Sequence, residues 1–310
     1  MVKRLFLPVG LVVAIAAALA VPMPEGVVKH LDRLRPWLVV TIFLINGYQT
    51  RLADAPRGWK FPLTFAVLAI LTLGLGPLLG RGTAEVMRMP EAMALGLVVM
   101  AAVPSTLSSG IVLTEVSGGN GLWALMLTIG LNILGVFTIP FMLAWCAPGG
   151  ADEGFPPLPM LIELVGLVLT PFVVGVIVKR FAGGKGLHPT MKYIPSACVI
   201  LTVWISCMRN RGHLLSLDIP TLGLMAAGAM TVHLVLMAAC LGAGVPLRLD
   251  GGQRRAVLFL GSQKTLPVAL AVLVILGSKA EAAVIVCIVF HFLQLITDSF
   301  IASRLARGSA

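Results

Sequence analysis

The sequence predicts an all-α polytopic membrane protein of ten transmembrane helices, arranged as two inverted five-helix repeats with helices 4 and 9 discontinuous. Three observations predict it. Of 310 residues, 58% are hydrophobic and only 12% charged, about half the charged share of an ordinary soluble domain. The apolar residues gather into ten runs, and a helix needs roughly 20 mostly apolar residues to cross the hydrocarbon core. Two of those runs are interrupted by polar residues at corresponding places in the two halves of the chain.

The runs place helices at 5–23, 36–50, 61–79, 92–115, 121–146, 157–181, 192–208, 219–244, 254–277 and 281–303. An open sheet is excluded, because its unpaired backbone groups find no partner in lipid, and the alternating ten-residue strands of a barrel are missing from the sequence. The first run, LFLPVGLVVAIAAALAVPM after Lys3 and Arg4, resembles a cleaved signal. Its length, and the lack of a soluble domain after it, favour a retained helix. The Lys and Arg residues other than Lys264 then divide 14 to 8 between the two sides. The more basic side is the cytoplasmic one, so both termini are expected in the cytoplasm and the chain in the cell (inner) membrane.

Composition also excludes several functions. The net charge of +10 comes from basic residues scattered singly among loops without interleaved aromatics, which are flanks of membrane helices rather than a nucleic-acid surface. The five cysteines, Cys146, Cys198, Cys207, Cys240 and Cys287, lie in apolar runs without CxxC spacing. They are read as small core residues, not as a disulfide framework or a metal site. No nucleophile and base pair or metal-ligand motif suggests an intramembrane enzyme.

The two interruptions carry the functional reading. In AAVPSTLSSGIVLTEV, Pro104 and Gly110 bracket Ser105, Thr106, Ser108 and Ser109; in GSQKTLPVALAVLVILG, Gly261 and Pro267 bracket Ser262, Gln263, Lys264 and Thr265. A proline within a helix removes a backbone hydrogen bond and disfavours helical geometry before it. One such site reads as a kink whose hydroxyls satisfy freed carbonyls. Two at matched positions, one of them charged, point instead to a site between inverted repeats, where half-helix ends offer N–H groups and carbonyls to ions and solutes. The repeats are expected at 1–148 and 157–310, joined by 149–156 and interleaved into core and panel domains.

VPSTLSSGIVLTEVSGGN, LGSQKTLPVALAVL and WLVVTIFLINGYQTRLADAPRGWK resemble segments of the bile acid:sodium symporter superfamily (solute carrier family 10), most of all the subgroup related to its seventh member. The resemblance spans essentially the whole chain. It implies a fold like that of sodium/proton antiporters, in which a six-helix core bearing two crossed broken helices moves against a four-helix panel. It also matches Ser109, Thr128 and Gln263 with sodium-binding positions of relatives. Here, however, Gly110 stands where relatives have asparagine, Phe259 where they have an acidic residue, and Lys264 follows the glutamine. Sodium needs oxygen donors and is repelled by an ammonium, so the familiar sodium site is expected to be altered or absent.

The resulting expectation is a secondary transporter of a small organic, anionic solute, working by alternating access in a lipid bilayer. Ser105, Thr106, Ser108 and Ser109 are expected to line one half of its site, with Ser262, Gln263, Lys264 and Thr265 the other. No cofactor is implied. Sodium and proton coupling both stay open, as does a homo-oligomer. For Lys264 the sequence leaves a built-in cation, a solute contact, a proton carrier and a snorkelling side chain. His291, Gln294 and Asp298 share one helical face as a relay, an ion ligand set or a hydrogen-bond seam; Glu115 is a candidate counter-ion of Lys264. The alternative in another class is a non-transporting membrane regulator that retains the fold.

Overall fold

A computed structural model describes residues 2–50, 58–107, 109–150, 156–183, 186–280 and 282–307. Ser108, the basic residues Arg51, Arg57 and Lys185, and most of the expected joint at 149–156 lie outside them. Among the described residues every regular element is helical, as lipid demands when backbone groups must bond within their own segment. Seven helical stretches are long and apolar enough to cross a membrane, and Phe6–Ala20 and Glu91–Ala102 are shorter apolar helices.

The helices, in order, are α1 (Val2–Ala20), α2 (Glu25–Asp32), α3 (Arg35–Gln49), α4 (Lys60–Val86), α5 (Glu91–Ala102), α6 (Ser109–Val116), α7 (Gly121–Cys146), α8 (Pro157–Phe181), α9 (Ile194–Arg209), α10 (Arg211–Leu215), α11 (Ile219–Ala243), α12 (Gly251–Ser262), α13 (Leu266–Leu276) and α14 (Ala283–Arg307). Side-chain caps fix several starts. Asn120 accepts from the Trp123 N–H at 3.0 Å and Asp218 from the Thr221 N–H at 2.9 Å. Asp250 and Gln253 form a reciprocal capping box at the head of α12.

Three features depart from the sequence reading. The short α2, whose residues are all at least partly exposed, is too polar to register as an apolar run. Helix α4 continues past residue 79, because GRGTAEV adds a polar turn in which Arg81 pairs with Glu85 four residues on. It also contains a π-helical turn, Ile70–Leu75.

Packing divides the helices into two sets. Helix α1 lies on α9, and α3 on both α8 and α9; α4, α5, α7, α11, α12 and α14 make a second set around the broken helices. Within the first set, α3 and α8 approach at mutual glycines. A Cβ on Gly47 would lie 2.0 Å from the Phe172 carbonyl oxygen, and one on Gly175 2.0 Å from that of Leu44. Backbone cannot yield as a side chain can, and small residues at such crossings are how membrane helices pack closely. Gly175→Ala is therefore expected to force the helices apart and destabilise the fold by about 1–3 kcal/mol or more. A melting temperature in detergent equal to that of the parent protein would contradict this.

Candidate functional site

The breaks are shorter than the prolines and glycines suggested. Helix α12 runs through Gly261 to Ser262, residues 263–265 are non-helical, and Pro267 sits in the first turn of α13, where its missing N–H costs nothing. Helix α5 ends at Ala102, Val103 turns extended, and Gly110 lies in the first turn of α6. The two breaks touch directly: the Thr265 N–H donates to the Pro104 carbonyl at 2.9 Å.

Around that contact the polar side chains form one network. Gln263, fully buried, accepts at Oε1 from the hydroxyls of Thr106 and Ser109, both at 3.1 Å, and donates from Nε2 to Asp298 Oδ2 at 2.8 Å. The other oxygen of Asp298 is 3.1 Å from His233 Nε2, and His233 Nδ1 is 3.1 Å from the Ser262 carbonyl. Gln294 clamps the broken strand. Its Oε1 accepts from the Lys264 N–H at 2.9 Å, while its Nε2 donates to the Lys264 carbonyl at 2.6 Å and to His291 Nδ1 at 3.0 Å. Because that histidine nitrogen accepts, the ring proton sits on Nε2, and His291 Nε2 is buried without a protein partner.

Lys264 is fully buried, which removes the snorkelling account. Its ammonium donates to the carbonyls of Thr72 at 2.7 Å and Val103 at 3.1 Å. Both acceptors are free for identifiable reasons. Val103 caps α5 in an extended conformation, so its carbonyl has no place in the helical ladder. In the π turn the Gly76 N–H bonds Leu71 rather than Thr72, and Pro77, the next residue, has no N–H to give. Gly76 also makes room, since a Cβ there would lie 2.9 Å from the Lys264 nitrogen.

The remaining expected residues fall as follows. Ser105 is buried with an unpartnered hydroxyl, while its carbonyl accepts from Asn132 at 2.9 Å. The Ser262 and Thr128 hydroxyls bond within their own helices, to Leu258 and Ala124, so Thr128 does not join Ser109 and Gln263 through its hydroxyl. Glu115, a candidate counter-ion of Lys264 or simply a charge at the end of the fourth helix, is exposed on α6, and the acceptors of the buried Lys264 are backbone carbonyls. Phe259 is fully buried in an apolar cluster with Met237, Leu258 and Ala302. A Cβ on Gly110 would meet the end of the Leu260 side chain at 2.8 Å and approach Gln263 Oε1 at 3.3 Å, so an asparagine there would have to displace Leu260. Among the described residues no group of three or more His, Cys, Asp or Glu side chains is placed to hold a metal. Thr72 and Val103 are the participants that the sequence reading missed. A Gly-Pro pair inside the third apolar run was the one available signal of a freed carbonyl.

Beside the crossing lies a cavity of about 340 Å³. Asn46 and Gln49 from α3, Thr50 just past its end and Ser196 from α9 line it on one side. Thr106, Ser109, Asn132, Thr265 and His291 face them from the broken helices, α7 and α14. The wall thus joins both sets of helices.

A family model described as the SBF-like CPA transporter family (DUF4137) matches residues 4–307. The probable sodium/metabolite cotransporter BASS4, chloroplastic, of Arabidopsis thaliana is 32% identical over 98% of this chain and 73% of its own, and that of Oryza sativa subsp. indica 30% identical over 96% and 74%. Sodium/bile acid cotransporter 7 of Rattus norvegicus is 26% identical over 58% of this chain and 54% of its own. These are transporters, not enzymes. The match over nearly the whole chain places it in the SBF-like CPA transporter family, within the bile acid:sodium symporter superfamily.

Proposed function

We propose that the protein carries a small organic anion through the cavity beside the crossing by alternating access, without sodium at the pair of sites that the resemblance implies. The observation that carries the reading is the position of the Lys264 ammonium, on the carbonyls of Thr72 and Val103. There it supplies the positive charge that a bound cation would bring to the end of α5. The cavity suits an anion. The N-terminal turns of α6 and α13 lie beside it, through Ser109 and Pro267, and His291 Nε2 and Gln49 Nε2 are donors without protein partners. Among the described residues no Asp or Glu contributes to its wall.

The packing supports ten transmembrane segments in two inverted repeats. Helix α1 against α9 and α8 against α3 are equivalent contacts if the second half repeats the first. In that arrangement α1, α3, α8 and α9 form the panel and the remaining spans form the moving core. With both termini cytoplasmic in the cell membrane, the cavity lies toward the cytoplasmic ends of α3 and α9. The curated relatives are named for sodium, so the discriminating measurement is solute uptake by purified proteoliposomes with external sodium replaced by potassium or choline. Uptake is expected to persist. Steep dependence on sodium, with sodium bound beside Ser109, Thr128 and Gln263, would refute the altered site.

A further inference from the structure

In sequence Arg35 is one more basic flank of a membrane helix, and such a side chain at a helix end ordinarily snorkels to the headgroups. It turns inward instead. The residue is 8% exposed, pairs with Asp32 one turn earlier and reaches toward the Ser206 hydroxyl on α9 at 3.5 Å. The other oxygen of Asp32 pairs with Arg209. Arg35, Thr202 and Ser206 form one wall of a pocket of about 10 Å³, which Leu270 and Val274 of α13 and Val284 of α14 close on the other side. That is room for about one water molecule. Among the described residues Arg35 is the one charged side chain in this wall.

The pocket lies on the same seam as the large cavity. On α3, Arg35, Val39, Ile42, Asn46 and Gln49 follow one another at intervals of three or four and so share a face; on α9, Ser196, Val199, Thr202 and Ser206 do the same. Asn46, Gln49, Ser196 and Val199 line the cavity, whereas Arg35, Thr202 and Ser206 line the pocket. The facing helices repeat the division: Pro267 of α13 and His291 of α14 belong to the cavity, Leu270 and Val284 to the pocket. Val39 and Ile42, both fully buried, fill the stretch of α3 between the two. One surface of contact between the two sets of helices is thus open at one end, with about 340 Å³, and shut at the other.

We propose that this pocket is a second anion-binding site, in which Arg35 receives the oxyanion group of the solute when the seam opens at this end; this rests on the transport reading above. Alternating access requires the cavity to close and the far end of the seam to open, and Arg35 stands in the wall that the opening uncovers. A guanidinium presents a planar fork of N–H donors that meets a carboxylate, sulfonate or phosphate with two parallel bonds. The Thr202 and Ser206 hydroxyls stand beside it, one helical turn apart. Asp32 keeps Arg209 when Arg35 turns to a solute, so the exchange leaves no carboxylate unanswered.

The test places one reporter, Thr202→Cys, in the full chain in detergent; the five native cysteines are buried, and the chain without the reporter gives the background. Its rate of modification is compared between an anionic sulfonatoethyl and a cationic trimethylammonioethyl methanethiosulfonate, each divided by the rate with a free thiol. The anionic reagent is expected to be favoured about tenfold. Arg35→Gln should remove that preference and Arg35→Lys should retain most of it. Ser196→Cys in the cavity lies roughly 15 Å from Ser206 along α9, beyond the screening length of about 10 Å at about 0.1 M salt, and should be indifferent to Arg35→Gln. An equal preference at Thr202→Cys in the parent and in Arg35→Gln overturns the proposal, as does a reporter that neither reagent reaches, or a change of the same size at both reporters. Should Arg35→Gln not fold, the parent decides: a preference at Thr202→Cys no greater than that of the free thiol refutes the site. No solute is needed. Uptake without charge-selective labelling therefore sinks this inference alone, and charge-selective labelling without uptake of any solute sinks only the transport reading.

Discussion

Lys264→Met is expected to abolish uptake and to destabilise the fold by about 2–6 kcal/mol, because the carbonyls of Thr72 and Val103 each lose a donor in a buried setting at about 1–3 kcal/mol apiece. Methionine fills much of the volume, so the loss is electrical rather than steric. Lys264→Arg keeps the charge but brings a planar group that needs more room beside Gly76, and reduced uptake is expected. A further substitution separates a built-in cation from a solute contact. Lys264→Ala vacates a place lined by carbonyl oxygens, the donors that hard cations take. Sodium should then raise the melting temperature of the variant and leave that of the parent unmoved. Full uptake by Lys264→Met would refute the account.

The contrast between what the sequence disclosed and what it withheld is physical. Ser105, Thr106, Gln263 and Lys264 were legible because polar residues inside apolar runs have no place facing lipid, and Pro104 and Pro267 marked where the helices yield. The partners of Lys264 were not legible, since backbone carbonyls carry no residue signature. The π turn that frees Thr72 depends on how α4 packs rather than on its composition alone. Nothing in the sequence ties His233 to its partner Asp298, which lies 65 positions away, and only the packing of α11 against α14 brings them together. Glu115 could be read either way from the sequence, as a counter-ion or as a charge at the helix end. It lies near the break in sequence, but α6 carries it out to an exposed position.

Gln294 is the second residue whose loss is expected to be severe. Its amide spans both backbone polar groups of Lys264 and the His291 ring at once, which a broken helix requires because its own ladder no longer satisfies them. Gln294→Leu leaves the Lys264 N–H, the Lys264 carbonyl and His291 Nδ1 unpaired, at about 1–3 kcal/mol for each buried group. Gln294→Glu tests whether satisfaction or shape matters. An ionised glutamate still accepts from the Lys264 N–H but has no hydrogens for the carbonyl or the imidazole, and the tautomer that aims His291 Nε2–H as a donor is no longer enforced. Both variants are therefore expected to lose uptake. In thermal denaturation Gln294→Glu should keep part of the stability that Gln294→Leu gives up. Parental uptake in either variant would show that the clamp on the broken strand is dispensable, and that the crossing is held by the Thr265–Pro104 contact and the Gln263 network alone.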